Sequence, residues 1–156
     1  MPINRKPVRD ERGQALLEFA LLAPLIILFL LAIVDFGMAV NRRLILDHAA
    51  REGARYASVG GNAFSSGAPV TCSEIQQLTA NGTKGMFAAG TVDVNYEDAN
   101  GIPGIQTGDN VEIELDYTYE FQTGLGSLVG VSLPGLPMLA SADARLEYTP
   151  PDSTGC

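Results

Sequence analysis

The sequence predicts an α+β protein in which a long N-terminal transmembrane helix continues into a helix packed on a small antiparallel sheet. Residues 15–34 are a run of 20 residues with a single charge. As a helix this run spans about 30 Å, the thickness of the hydrocarbon core of a bilayer. Beyond residue 90, apolar residues recur at every second position, which is the period of strands with one buried face.

Charge predicts how the chain is oriented. The 156 residues include 10 Lys and Arg against 18 Asp and Glu, a net charge of −8, yet the first thirteen residues have four basic and two acidic side chains. A basic leader stays in the cytoplasm while the acidic remainder is exported. We therefore predict a basic cytoplasmic leader (1–13), a transmembrane helix (14–36) and an exported helix-plus-antiparallel-sheet domain (37–156). The strongly acidic part of the chain after residue 13 argues against nucleic-acid binding, which requires a basic surface.

The apolar run predicts an anchor that is retained, rather than a secretory signal peptide. A signal peptide has an apolar core of about 7–15 residues that ends in a small-residue cleavage site. Here the run is longer, is followed by Asp35-Phe36-Gly37, and continues into more helix. We expect one helix from Gln14 to about Ser58, kinked or locally loosened at Pro24 because proline lacks the amide donor.

The later part of this helix has an apolar side of small residues, at Ala49, Gly53 and Ala57. Glycine costs about 1 kcal/mol relative to alanine in a helix interior. We expect this cost to be offset by close packing of another backbone against Gly53, and we expect the alanines of the third strand to be that neighbour. Ion pairs Asp47–Arg51 and Glu52–Arg55 are expected on the polar side.

The exported part predicts a short helix and three strands. The helix is expected near 73–80, with a capping box formed either by Thr71 and Glu74 or by Ser73 and Gln76. The strands are expected near 92–97, 111–121 and 138–148, with a long hairpin loop at 98–109. Residues 124–137 are apolar but rich in glycine and proline. They are either a packed crossover loop or a contact surface for another subunit or the membrane.

No residue pattern predicts catalysis. His48 is the single histidine, so neither a zinc site of the usual ligand count nor a Ser–His–Asp triad is favoured. The acids of the second strand have the alternation of a solvated strand face, and no glycine-rich loop has a phosphate-binding pattern. We therefore expect no enzyme, no catalytic residue, no metal and no cofactor.

The two cysteines, Cys72 and Cys156, both fall in the part predicted to be exported, where disulfides persist. A bond between them would stabilise the fold by at most about 4–5 kcal/mol on chain-entropy arguments. It would hold the C-terminal tail to the short helix. Two free thiols are the alternative.

Glu18, the single charge in the apolar run, has three interpretations. It lies close enough to the start of the run to reach the cytoplasmic interface. As a proton-relay group it lacks a partner acid or histidine in this helix. As an assembly contact it would neutralise a new N-terminal amine on a neighbouring chain, produced by cleavage after Gly13. The third interpretation also explains why a glycine stands just before the run.

Four segments together resemble the TadE-like proteins, which are pilin-like components of tight-adherence (Flp-type) pilus systems in bacteria. The resemblance is dense over residues 12–58. The segments are RGQALLEFA at 12–20, LAPL at 22–25, VDFG at 34–37 and AAREGARYA at 49–57.

The resemblance implies a pilin-like fold and prepilin-type processing between Gly13 and Gln14, with Glu18 and Phe19 as the assembly acid and its neighbour. It implies a minor pilin or pseudopilin in the bacterial inner membrane, single-pass, with a periplasmic C-terminal domain, and possible incorporation into a surface pilus. The partners are membrane lipid, the prepilin peptidase, other pilin-like subunits and the pilus assembly platform. The alternative is an unprocessed single-pass anchor for a periplasmic binding module, whose sheet or 98–109 loop captures a ligand.

Overall fold

The computed structural model describes residues 11–60, 70–86, 91–128, 130, 132–150 and 155–156, so most of the predicted leader lies outside the described residues. The predicted α+β class is confirmed. The elements in chain order are α1 (Glu11–Ser58), α2 (Cys72–Gly82), β1 (Asp93–Glu97), β2 (Asn110–Tyr119), the single turn α3 (Leu125–Leu128) and β3 (Leu136–Arg145).

The chain forms two compact units. The first comprises Met1–Gly37 together with Phe121–Leu133, and the second comprises Met38–Glu120 together with Pro134–Cys156. Helix α1 contributes to both units, because it runs without a break from Glu11 to Ser58.

In the first unit, α1 begins three residues before the predicted start at Gln14 and continues through Pro24. Most of its large apolar side chains are more than half exposed. These are Leu16, Leu17, Phe19, Leu21, Leu22, Leu25, Ile26, Ile27, Phe29, Leu30, Ile33 and Val34. A helix that is apolar all round and uncovered by its own chain is suited to a lipid environment.

The second unit contains an antiparallel sheet with strand order β1-β2-β3. The alternation predicted from the sequence sets the buried face: Ile113 pairs with Val94 on one side and with Ala142 on the other. The buried side chains of β2 are Val111, Ile113, Leu115 and Tyr119. Because β2 is the central strand, it contributes the largest side chains to the core.

The boundaries of β3 differ from the predicted 138–148. The strand starts earlier, at Leu136, and includes Pro137, which pairs with Thr118. Proline lacks an N–H group but is tolerated here because β3 is an edge strand. The strand ends earlier, at Arg145, and two residues later the backbone N–H of Glu147 donates to the carbonyl of Ser58 at 2.8 Å. The N–H group of Glu147, which the alternation assigned to the strand, is therefore bonded to the backbone of α1 instead.

Helix α2 begins after Thr71 with the first of the two predicted capping boxes. The Glu74 carboxylate accepts hydrogen bonds from the backbone N–H and the hydroxyl of Thr71, both at 2.9 Å. These bonds, the backbone one foremost, hold the pKa of Glu74 below its usual value of 4.5. The alternative box is wrong, because the Gln76 side chain donates to the carbonyls of Val92 and Cys156 instead.

The core of the second unit combines the later part of α1, α2 and one face of the sheet. Its fully buried side chains include Leu46, Ile75, Ile113 and Leu115. At Gly53 the closest neighbour is Thr79 of α2, rather than the alanines of the third strand: a Cβ built on Gly53 would have all three of its nearest atoms in Thr79. The close approach that the glycine predicted is therefore a helix–helix contact.

The ion pairs on α1 also differ from those expected. Asp47 contacts Arg43 at 3.2 Å and Glu52 contacts His48 at 3.5 Å, rather than Arg51 and Arg55. Each carboxylate pairs with the residue one turn before it. Both pairs are exposed, so each contributes only a few tenths of a kcal/mol.

Candidate membrane anchor and assembly segment

The predicted processing site lies on the exposed first turns of α1. Nothing lies within 4 Å of a Cβ built on Gly13, so the fold of the described chain leaves room for a side chain at this position. Five residues after Gly13, Glu18 is exposed and accepts a hydrogen bond from the Gln14 side chain at 3.4 Å. Next to it, Phe19 is exposed as well. The three side chains thus lie on the accessible surface of one helix.

Among the described residues, one helix is long and apolar enough to cross a membrane, and it is α1. None of its most apolar stretch is buried within the chain. This is the pattern of a single-pass anchor, since a core helix of similar composition would be covered by the rest of its own protein.

A buried carboxylate follows this stretch directly. Asp35 accepts hydrogen bonds from the backbone N–H groups of Gln122 and Thr123, at 3.0 and 3.2 Å, and from the Thr123 hydroxyl. Sequence reasoning missed this contact. No local signal links two positions almost ninety residues apart, and the only available hint was an acid placed directly after an apolar run.

The small residues predicted to pack are buried. Ala49 and Ala57 lie in the core, and Gly53 faces Thr79 so closely that an added Cβ would stand 2.2 Å from its Oγ1 atom. Ala49 approaches Gly82 of α2 in the same way. Ala49 and Gly53 thus join α1 to α2 inside one chain, and all three residues are covered rather than available to another subunit.

Cys72 and Cys156 form a disulfide, with their Cα atoms 6.3 Å apart. The C-terminal residue also pairs with β1, because its backbone N–H donates to the carbonyl of Val94 at 2.9 Å. Gly155 has a positive φ of 73°, and a Cβ at this position would lie 2.6 Å from the same carbonyl. The tail is therefore bound to α2 covalently and to the edge of β1 by hydrogen bonding.

The 98–109 loop is organised from within by Asp109. Its buried carboxylate accepts from the backbone N–H groups of Ala99 and Gln106 and from the side-chain amide of Asn100, at 3.1, 2.8 and 2.7 Å. These bonds cross-link the two ends of the loop. The loop thus has a defined shape, and this carboxylate is occupied in holding it.

The single histidine does not lie in a site suited to chemistry. His48 is exposed on α1 beside Glu52. Across the part of the chain that the structure describes, no group of three or more His, Cys, Asp or Glu side chains is arranged to hold a metal ion.

Residues 13–55 match the family model described as TadE-like protein. The resemblance drawn from the sequence is confirmed over this segment, which is about a quarter of the chain. No curated protein and no solved structure matches the chain. The TadE-like family is associated with the tight-adherence pilus and is not known to be enzymatic.

Proposed function

We propose that this protein is a minor pilin or pseudopilin of a tight-adherence (Flp-type) pilus that acts by subunit packing. The observation that carries the proposal is the TadE-like match over 13–55, which covers the glycine, the acid and the whole apolar stretch of α1. In this role α1 is embedded in the inner membrane with its N-terminus cytoplasmic, and the second unit is periplasmic.

Assembly in this proposal depends on one charge pair. Prepilin peptidase cleaves between Gly13 and Gln14, and the new amine meets Glu18 of a neighbouring subunit. An isolated carboxylate near the end of a membrane helix is unfavourable, whereas a paired one is not. In the single chain, Glu18 has the long 3.4 Å bond from Gln14, which leaves its oxygens accessible to a stronger partner.

The exposed apolar surface of α1 is the second support. Side chains such as Leu25 and Phe29 are uncovered by the chain itself, so they face lipid before assembly and other pilin-like helices after it. Packing of these helices on one another requires no catalytic group, which agrees with the expectation of a non-enzymatic protein.

The N-terminus of the mature protein tests this proposal. We predict that protein from pilus-producing cells begins at Gln14, and that Gly13→Leu blocks the cleavage because a peptidase that requires a small residue rejects leucine. Terminal peptide mapping by mass spectrometry measures both. The empty space around Gly13 means that the variant keeps its fold, so the loss reports on recognition.

Gly37→Leu is the matched control, since this glycine also has no atom within 4 Å of a built Cβ and lies on the same helix. We expect normal cleavage in this variant. Mature protein that retains residues 1–13 in the wild type would contradict the proposal. It would favour the alternative of an unprocessed anchor for a binding module.

A further inference from the structure

Asp35 is the most deeply buried residue along the apolar part of α1. It is 2 % exposed, although its neighbours Val34 and Phe36 are 51 % and 72 % exposed. The cover comes from Gln122 and Thr123, whose backbone N–H groups bond to the carboxylate. Residues 122–123 are therefore held against α1 at the end of its apolar run, and they belong to the same compact unit as this part of the helix.

The position of Asp35 along α1 is at the boundary of a bilayer. The next charged residues on the helix are Arg42 and Arg43, which are suited to the headgroup region. Arg42 is the seventh residue after Asp35, which corresponds to a rise of about 10 Å along the helix. A bare carboxylate at that depth is costly. Three hydrogen-bond donors from segment 121–133 remove much of this cost.

Segment 121–133 itself has the composition of a surface that faces lipid. Between Glu120 and Asp143 there is no Asp, Glu, Lys or Arg, although 18 % of the whole chain is charged. At the two ends of the segment, Phe121 and Leu133 are 36 % and 38 % exposed. An aqueous loop on an acidic protein has no reason to exclude charge, whereas a segment in contact with lipid has one.

The exposed apolar side chains of α1 extend to the same level. Ile33, Val34 and Phe36 flank the buried carboxylate and are uncovered by the chain. Lipid that covers these side chains also reaches the segment bonded to Asp35. Residues 122–123 thus lie beside the exposed apolar side chains at the end of the membrane helix.

We propose that the described residues of segment 121–133 (121–128, 130 and 132–133) form a membrane-interfacial segment, which lies among the lipid headgroups and upper acyl chains beside α1, and that Asp35 holds it there. The proposal rests on the membrane anchoring of α1 that is part of the proposed function. It requires neither cleavage after Gly13 nor assembly into a pilus.

Spin-label accessibility on the full chain tests this. Single-cysteine variants Ser127→Cys, Thr107→Cys and Leu25→Cys are labelled without reductant, so that the native cysteines stay in their disulfide. They are then reconstituted in vesicles of phosphatidylethanolamine and phosphatidylglycerol. Collision rates are measured with oxygen, which concentrates in lipid, and with a water-soluble nickel chelate. We expect a several-fold higher oxygen-to-nickel ratio at Ser127 than at Thr107, an exposed site in the 98–109 loop, and the highest ratio at Leu25.

Each outcome decides something different. A ratio at Ser127 as low as that at Thr107, with a high ratio at Leu25, overturns the interfacial segment and leaves the anchor intact. A low ratio at Leu25 overturns both. Disulfide-linked dimers through Ser127→Cys in these vesicles also overturn the proposal, because they indicate a subunit contact in place of lipid.

Asp35→Ala tests the holding role. We expect the nickel collision rate at Ser127 to rise several-fold when the acceptor is lost, and Asp35→Asn, which keeps one acceptor oxygen, to give a smaller rise. Asp47→Ala is the matched control, since it removes a carboxylate from the same helix at an exposed ion pair. An unchanged rate at Ser127 in Asp35→Ala would show that the carboxylate does not hold the segment.

Discussion

Three carboxylates of this chain differ in their burial and in their hydrogen-bond partners. Glu18 is exposed on a helix that is apolar all round, Asp35 is covered by donors, and Asp109 is buried within a hydrogen-bonded loop. The last two have their partners inside the chain. Glu18 has only a long bond from Gln14 among the bonds described, so it is the acid best placed to pair with another molecule.

We expect Glu18→Ala to leave membrane insertion unchanged and to impair incorporation into the pilus. Removing one partner of a buried ion pair costs about 3–5 kcal/mol. Recovery of the variant in sheared pili should therefore fall more than about tenfold. Immunoblots of membrane and pilus fractions measure both quantities. Glu52→Ala, an exposed carboxylate on the same helix, should be recovered normally, and normal recovery of Glu18→Ala would remove the assembly role of the acid.

Glu74 predicts a pH dependence at the start of α2. Its pKa is lowered in the folded protein by the bonds from Thr71, so the stabilisation is present above the usual 4.5 and is lost as the pH falls through the lower, folded value. Melting curves between neutral and strongly acidic pH should show this loss. Glu74→Gln should be less stable at neutral pH and should lack this part of the acid sensitivity. Identical pH profiles for the two proteins would contradict the role of the capping box.

At the scale of elements, the periodicity of apolar residues predicted most of the helices and strands. The strand period of two identified all three strands, and the capping residue at Thr71 marked the start of α2. The errors lie where tertiary contacts compete with local pattern. Glu147, near the end of the range assigned to β3, bonds to α1 instead, and the neighbour of Gly53 is a second helix. In both cases the partner lies far away in the sequence. Local propensity does not specify which of two apolar elements packs against a given residue.

The contact between Gly53 and Thr79 predicts that Gly53→Ala destabilises the protein. Overpacking costs about 1–3 kcal/mol, while the gain in helix propensity offsets about 1 kcal/mol. We expect a net loss of about 1 kcal/mol, measured by chemical denaturation of the full chain in detergent. Gly37→Ala lies in open space on the same helix and should be neutral or stabilising.

A double-mutant cycle checks the mechanism of that loss. In a Thr79→Ala background the obstructing hydroxyl is absent, so Gly53→Ala should cost less than it does in the wild type. An equal cost in both backgrounds would show that Thr79 is not the cause.

At the scale of the whole molecule, one continuous helix contributes an exposed apolar surface to the first unit and a buried face to the core of the second. The first unit has apolar surface on the outside, which is stable only when something other than water covers it. The second unit buries its apolar residues in an ordinary core and is closed by a disulfide between residues 84 apart. Segment 121–133 leaves the second unit between β2 and β3 and belongs to the first.

We expect the disulfide to account for a large share of the stability of the second unit. Replacing both cysteines, as Cys72→Ser with Cys156→Ser, should lower the free energy of unfolding by about 2–5 kcal/mol. Thermal melts with and without reductant measure this effect. Reductant should lower the melting temperature of the wild type and leave the double variant unchanged. A double variant as stable as the oxidised wild type would show that the tail is held without the bond.

The sequence by itself determined the long apolar helix, the fold class, the strand alternation and the resemblance of residues 13–55 to the TadE-like family, because these depend on the local order of apolar, charged and small residues. The tertiary structure alone decided that Thr79 faces Gly53, that Ser58 takes a donor from Glu147, and that Asp35 binds residues 122–123. These contacts join positions far apart in the chain. Their partners are selected by the packing of whole elements, which no short stretch of sequence specifies.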